Sequence, residues 1–182
     1  DWAGTWITAL VGADAGHPAP LIGTPFGVAA GLSSARLHVT ALGVVIPEIN
    51  GTRVSGDHFT PGWTTYDQLI RFRSYDVTAL LRAGDNELSA LIGNGWYRGR
   101  IASLPIHRGR AYGDRLGLLA QLELEYADGR RVTIGTDESW RTTPSRILAN
   151  DFYDGQTTDL RMPARPSLDR PVQRLDAETG RL

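Results

Sequence analysis

The chain has 182 residues, 41% of them apolar and 21% charged, which suits one globular domain with a core of its own. Its 19 basic and 20 acidic residues give a formal net charge of −1, so the electrostatic footprint of a nucleic-acid or anionic-membrane binder is missing. With no cysteine, the sequence excludes a disulfide framework, a thiolate nucleophile and cysteine-held zinc, and it leaves the compartment open between secreted and cytoplasmic.

The N-terminal DWAGTWITAL has no basic n-region and reads as neither a signal peptide nor a membrane span; a chain opening on Asp reads as a piece of a longer polypeptide. GADAGHPAPLIGTPFG (12–27), rich in Gly, Ala and Pro, reads as a surface connection. ARLHVTAL (35–42) sets Leu37, Val39 and Ala41 against Arg36, His38 and Thr40, the period of a half-buried strand. GVVIPEI (43–49) follows, and Asn50-Gly51 before TRV predicts a type I′ hairpin because both residues tolerate positive φ. QLIRFRSYDV (68–77) alternates again, and DVTALLRAG (76–84) is the best helix candidate, with Asp76 or Thr78 as cap and Gly84 as stop.

NELSALIG (86–93), LGLLAQLELEY (116–126) and, after an Asp-Gly turn, RRVTIG predict three more strands, and SWRTTPSRIL continues the pattern. Pro47 and Pro105 mark edges or bulges, since proline cannot donate to a ladder. Short strands, frequent turn signals and little helix together predict an all-β antiparallel β-sandwich. The division read from composition is an N-terminal strand and connecting segment (1–34), the sandwich (35–161), and a proline-rich tail toward a following domain (162–182).

GNGWYRGR (93–100) interrupts this pattern. Aromatic faces pack on the C–H faces of sugars, and Asn and Arg bond hydroxyls, so the stretch suits a small polar ligand; the bland alternative is core padding around a glycine bulge. ANDFYDGQTTDL (149–160) gathers Asp151, Asp154 and Asp159 with Asn150 and Gln156, an oxygen-rich loop of the kind calcium favours, or equally a solvated turn; its spacing is not an EF-hand. Hydrolytic chemistry has less support. No G-x-S-x-G elbow accompanies His17, His38, His58 or His107, no paired-histidine metal spacing occurs, and no acid falls inside the aromatic-rich stretch.

The motifs ARL-VTALG, INGTRV, PGWTTYD, SYDVT-LL, G-NEL and GWYRG, followed by DFYDGQTTDLR (151–161), occur in an order that resembles the N-terminal domain of bacterial α-L-rhamnosidases over about residues 35 to 161. That resemblance implies a jelly-roll, galactose-binding-like sandwich that serves as a non-catalytic accessory to a glycoside hydrolase. The catalytic acids of such enzymes lie in a separate (α/α) barrel. The implied partners are a carbohydrate, terminal rhamnose or a related sugar, and the catalytic domain of the parent chain.

In some relatives such a module holds rhamnose through calcium with an Asp-Asn pair, so calcium is the one cofactor the resemblance suggests. Here Asn94 stands where Asp is common, Gln156 where Glu is usual and Thr158 where Tyr is usual, which reduces the charged ligands; Asp85-Asn86 is another such pair, at a strand start. The sugar site expected on this basis has Asn94, Trp96, Tyr97 and Arg98 on one wall and Asp151, Tyr153 and Asp154 on the other. The rival expectation is a purely structural domain that packs on the barrel through the same residues and binds no sugar.

Overall fold

The computed structural model describes residues 2–9, 17–101, 110, 112–177 and 182. Among these, antiparallel strands dominate and helix is confined to single turns. One layer runs β5 (Thr52–Arg53), β4 (Val44–Ile49), β7 (Gly84–Gly93), β2 (Pro20–Val28) and β10 (Arg141–Pro144). The other runs β6 (Arg73–Asp76), β3 (Leu32–Leu42), β8 (Gly117–Tyr126) and β1 (Ile7–Ala9), with β9 (Arg131–Gly135) also on β8. Strand β13 (Arg170–Arg174) pairs with both β10 and β1 and so joins the two layers into a closed side. This is the antiparallel β-sandwich that the strand pattern predicts.

The core follows from period-2 alternation. Leu37 and Val39 of β3 and Leu118, Leu122 and Leu124 of β8 face inward against Ile22, Leu88, Ile92, Val45 and Ile49 of the other layer, all buried. Each such side chain contributes roughly 1.5–3 kcal/mol by leaving water. Strand β8 changes character along its length. Its second half alternates with exposed Glu123 and Glu125, whereas its first half is buried on both faces because Trp6, Tyr66 and Ile70 cover Leu119 from outside.

Both hairpin predictions are met. Asn50 and Gly51 take φ of 50° and 79° between β4 and β5, and Gly129 takes 84° between β8 and β9. Asn50 does more than turn. Its Nδ2 donates to Asn86 Oδ1 at 2.8 Å and to Leu80 O at 3.1 Å, and its Oδ1 accepts from Glu87 N. Pro47 lies on β4 opposite Ala90 of β7, and its carbonyl accepts from Val54 N just past β5, so only its acceptor is used on that edge. Pro105 and His107 lie outside the described residues.

Three expectations differ from the structure. Residues 20–28, read as part of a surface connection, form β2 between β7 and β10. Its first five residues are buried on both faces, so the alternation that would have announced a strand is absent. The tail crosses back over the first layer, where Arg165 pairs with Glu48 and Glu87, and then supplies β13, in which Val172 alone is buried. The helix over 76–84 shrinks to a 3-10 turn at Thr78–Leu80, because Asn86 takes Arg82 N and bonds the carbonyls of Arg82 and Gly84, groups a helix end would otherwise leave or use. Within 68–77, only Arg73–Asp76 is strand.

Candidate functional site

Strand β7 ends at Gly93 and passes through Asn94 into the single-turn helix α1 (Gly95–Arg98). The glycines there have a physical reason. Gly95 has φ of 52°, and a Cβ on it would sit 2.7 Å from Val44 Cγ1; one on Gly93 would sit 2.9 Å from Asn150 Oδ1. The turn is thereby pressed against β4 and against β11 (Ile147–Asp151), which forms a separate hairpin with β12 (Gly155–Thr158).

GNGWYRGR and DFYDG therefore meet, as the sequence suggests. Asn94 N donates to Asn150 Oδ1 at 2.7 Å and Asn94 Nδ2 to Asn150 O at 2.6 Å. Arg100 N donates to Asp151 Oδ2 at 2.8 Å, and the Arg100 guanidinium pairs with Asp154 and lies 5.8 Å from the Tyr153 ring. Trp96 packs on Phe152 with ring centroids 4.5 Å apart.

The seven expected site residues part company within this junction. Asn94 and Arg98 are each 4% exposed, and Arg98 Nε donates to Asn94 Oδ1 at 2.7 Å. They knit the junction together and are not placed to reach a ligand beside it. Burial, then the nearby Arg110, lowers the pKa of Arg98, with Asp114 opposing. Tyr97 turns to the far side of α1, 5.2 Å from Tyr66, and burial followed by the Asp114 charge raises its pKa. Asp151 lines the near side, Trp96 packs against the Phe59 and Phe152 rings that border it without lining it, and Tyr153 and Asp154 form the exposed hairpin tip.

What opens on the near side is a cleft of about 360 Å³. Its floor is Val44, Ile46 and Leu91, the outward members of strands whose inward members Val45 and Ile92 fill the core. The β11–β12 hairpin supplies one wall with Asn150, Phe152 and Gln156. The other wall comes from Asp57, His58 and Phe59, a loop the motif reading did not single out. Phe59 has φ of 58°, uncommon for a non-glycine residue, and Thr60 fixes it there by accepting from Val45 N at 2.7 Å. The ring so held is 59% exposed and stands 5.2 Å from Phe152. A strained residue that presents an aromatic face to water is a signal of use, and it was invisible in the sequence because nothing there sets φ.

Asn150 is one of the residues lining this cleft, and its Nδ2 is buried with no hydrogen-bond partner among the described residues. Buried amides are normally satisfied, so an orphaned donor just behind a cleft wall calls for a reason.

Calcium does not fit the acids of the hairpin. Asp151 accepts from Tyr153 N and Arg100 N on its two oxygens, Asp154 is held by Arg100, and both oxygens of Asp159 are held by Arg161. Among the described residues no three of His, Asp or Glu gather as a cation with six to eight oxygen ligands requires. A serine–histidine contact does occur elsewhere: His38 Nδ1 lies 2.6 Å from Ser74 Oγ and its Nε2 3.7 Å from Glu123. Ser74 sits in a regular strand opposite His38, however, and not on the sharp turn that exposes a hydrolase nucleophile.

The sequence matches the family model described as the alpha-L-rhamnosidase N-terminal domain over residues 30–169. The chain belongs to that family. An α-L-rhamnosidase of Streptomyces avermitilis is 44% identical over 132 residues, which are 71% of this chain and 12% of the relative. Among solved structures, native α-L-rhamnosidase from Aspergillus terreus superposes with a TM-score of 0.91 at 31% identity, over 98% of this chain and 22% of its own. The Streptomyces avermitilis α-L-rhamnosidase in complex with L-rhamnose superposes with a TM-score of 0.81 at 36% identity, over 87% and 16%. The chain thus spans between about an eighth and a fifth of the length of these rhamnosidases, and the rhamnosidase N-terminal domain is the part it matches. No helix among the described residues is long and apolar enough to cross a membrane.

Proposed function

We propose that this rhamnosidase N-terminal domain binds carbohydrate and orients it for the parent glycoside hydrolase, with a terminal neutral sugar of the rhamnose type held in the β4–β11 cleft. The observation that carries this reading is the pairing, in one cleft, of exposed aromatic faces on Phe59 and Phe152 with the orphaned Asn150 donor. Aromatic faces take the C–H side of a pyranose, Gln156, His58 and Asp57 line the cleft for its hydroxyls, and the Asn150 amide lies just behind, to be reached by a small shift of its side chain. The role assigned to the chain is binding and not bond cleavage, since the acids of the hairpin are already engaged and the histidine–serine pair lies on a flat strand face.

A relative solved with L-rhamnose makes that sugar the first to try. Calorimetric titration of this chain should give an affinity of roughly millimolar to tens of micromolar, about −4 to −6 kcal/mol. Phe152→Ala should weaken it by about tenfold without lowering the melting temperature. Asn150→Asp, which keeps the oxygen that Asn94 N needs and removes the donor, should weaken it as well. Saturating L-rhamnose that produces neither heat nor chemical-shift change would favour the structural rival, in which the aromatic wall is a contact for another domain.

A further inference from the structure

The cleft is one end of a longer feature. Helix α1 presents consecutive side chains to opposite sides, Trp96 toward Phe59 and Phe152, Tyr97 toward Tyr66. Trp63 bridges the two. Its ring lies parallel to Trp96 with centroids 6.1 Å apart, and its Nε1 donates to the Tyr112 hydroxyl at 3.4 Å. Tyr112 in turn lies 5.0 Å from Tyr66, and there a second groove of about 370 Å³ opens, bordered by Asp67, Asp114 and Asp176 with Arg115. Aromatic rings therefore run without a break from Phe152 through Phe59, Trp96 and Trp63 to Tyr112.

Of the seven large hydrophobic side chains that are exposed among the described residues, four belong to this strip or to the hairpin tip beside it, Phe59, Trp63, Phe152 and Tyr153, at 59, 49, 39 and 55%; the other three are Leu69, Phe72 and Leu160. A contiguous exposed apolar patch marks a binding surface, in contrast to single exposed residues, which need no explanation.

We propose that the strip is the path of an extended neutral glycan, whose terminal residue occupies the cleft and whose following residues cross Trp63 toward the tyrosine groove. This rests on the sugar-binding reading of the cleft. A polysaccharide alternates apolar C–H faces with hydroxyls, and the strip meets it with ring faces flanked by acceptors. The charge at the far groove decides the kind of glycan. Among the described residues three carboxylates line that groove with one guanidinium, Asp114 also lying near Arg98, an arrangement that accepts hydrogen bonds from hydroxyls and disfavours acidic sugars. The same acids and the recessed, donor-bearing cleft at the other end suit a hydroxylated chain better than the apolar core of a protein interface, which is depleted in charge.

The test is a calorimetric series on this chain with L-rhamnose and with neutral α-L-rhamno-oligosaccharides of increasing length. Affinity should rise by about tenfold or more from the monosaccharide to the longer members. Trp63→Ala should abolish that increment, leave L-rhamnose binding and the melting temperature unchanged, and be largely rescued in Trp63→Phe. An oligosaccharide of equal length carrying a uronic acid should bind more weakly. L-rhamnose binding with no gain in length, or a gain untouched by Trp63→Ala, overturns the path and leaves the cleft reading standing. Tighter binding of the acidic oligosaccharide overturns the neutral assignment, and failure of every length to bind overturns path and cleft together.

Discussion

Leu122 and Asn94 are both enclosed, and they are enclosed by different physics. Leu122 sits between the two layers among other aliphatic side chains, where burial is non-directional and its cost on truncation scales with the volume left empty. Asn94 sits at the β7–α1 turn among polar atoms, and every contact it makes is directional, to Asn150 on one side and Arg98 on the other. The interlayer core tolerates aliphatic exchange of similar size, whereas the junction tolerates no change in hydrogen-bonding pattern. The lesson is that the region shaping the cleft is held by few, specific bonds, while the scaffold under it is held by many generic ones.

Four measurements break or sharpen this contrast. Leu122→Ala should cost about 2–5 kcal/mol in urea unfolding and leave L-rhamnose affinity, where measurable, unchanged. Asn94→Ala removes the acceptor of a buried guanidinium and a donor to Asn150, and should cost about 1–3 kcal/mol while weakening sugar binding, because the β11–β12 wall loses its anchor. If Asn94→Ala left binding intact, the junction would not be what positions the wall.

A smaller effect is expected at the far edge. The Thr78 hydroxyl and then the Thr78 amide, both donating to Asp76 Oδ1, hold the Asp76 carboxyl below the ordinary carboxylate range. A depressed folded-state pKa means its contribution is complete above the unfolded value and fades as pH falls through the folded one. Asp76→Asn should therefore lower stability slightly at neutral pH and flatten the acid limb of the stability profile; an unchanged limb would refute this. Smallest of all, calcium or EDTA should not move the melting temperature, since the hairpin acids already have partners. A calcium-dependent rise would show a cation site the acids were free to form.

The sandwich was legible where the chain is amphipathic. Leu37–Val39 and Leu122–Leu124 alternate with charged or polar residues because one face is wet, and Asn50-Gly51 and Asp128-Gly129 announce turns because Asn50, Gly51 and Gly129 take positive φ there. Strands β2 and β13 were not legible, for opposite reasons: half of one is buried on both faces, and nearly all of the other on neither. The approach of GWYRG to DFYDG could be anticipated, since both interrupt strands and loops of a sandwich converge at its ends. Which side chains face the cleft could not. Trp96 and Tyr97 are adjacent letters that a helical turn sends to different surfaces, and the wall from Asp57 to Phe59 depends on a single dihedral.

The closing strand pair has a mechanical consequence. Ile7, the first residue of β1, is paired with Arg174, the last of β13. Tension that reaches the sandwich along the chain before Ile7 and after Arg174 falls first on the outer bonds, Thr5 with Thr136 and Leu175 N to Trp6 O, then on the rungs Ile7–Arg174, Thr8–Gln173 and Ala9–Val172 in turn. The bonds yield in sequence, as a zipper does, and not together as they would under shear. A load transmitted along the polypeptide would peel this seam at low force, while the β3–β8 and β2–β7 ladders behind it stay intact.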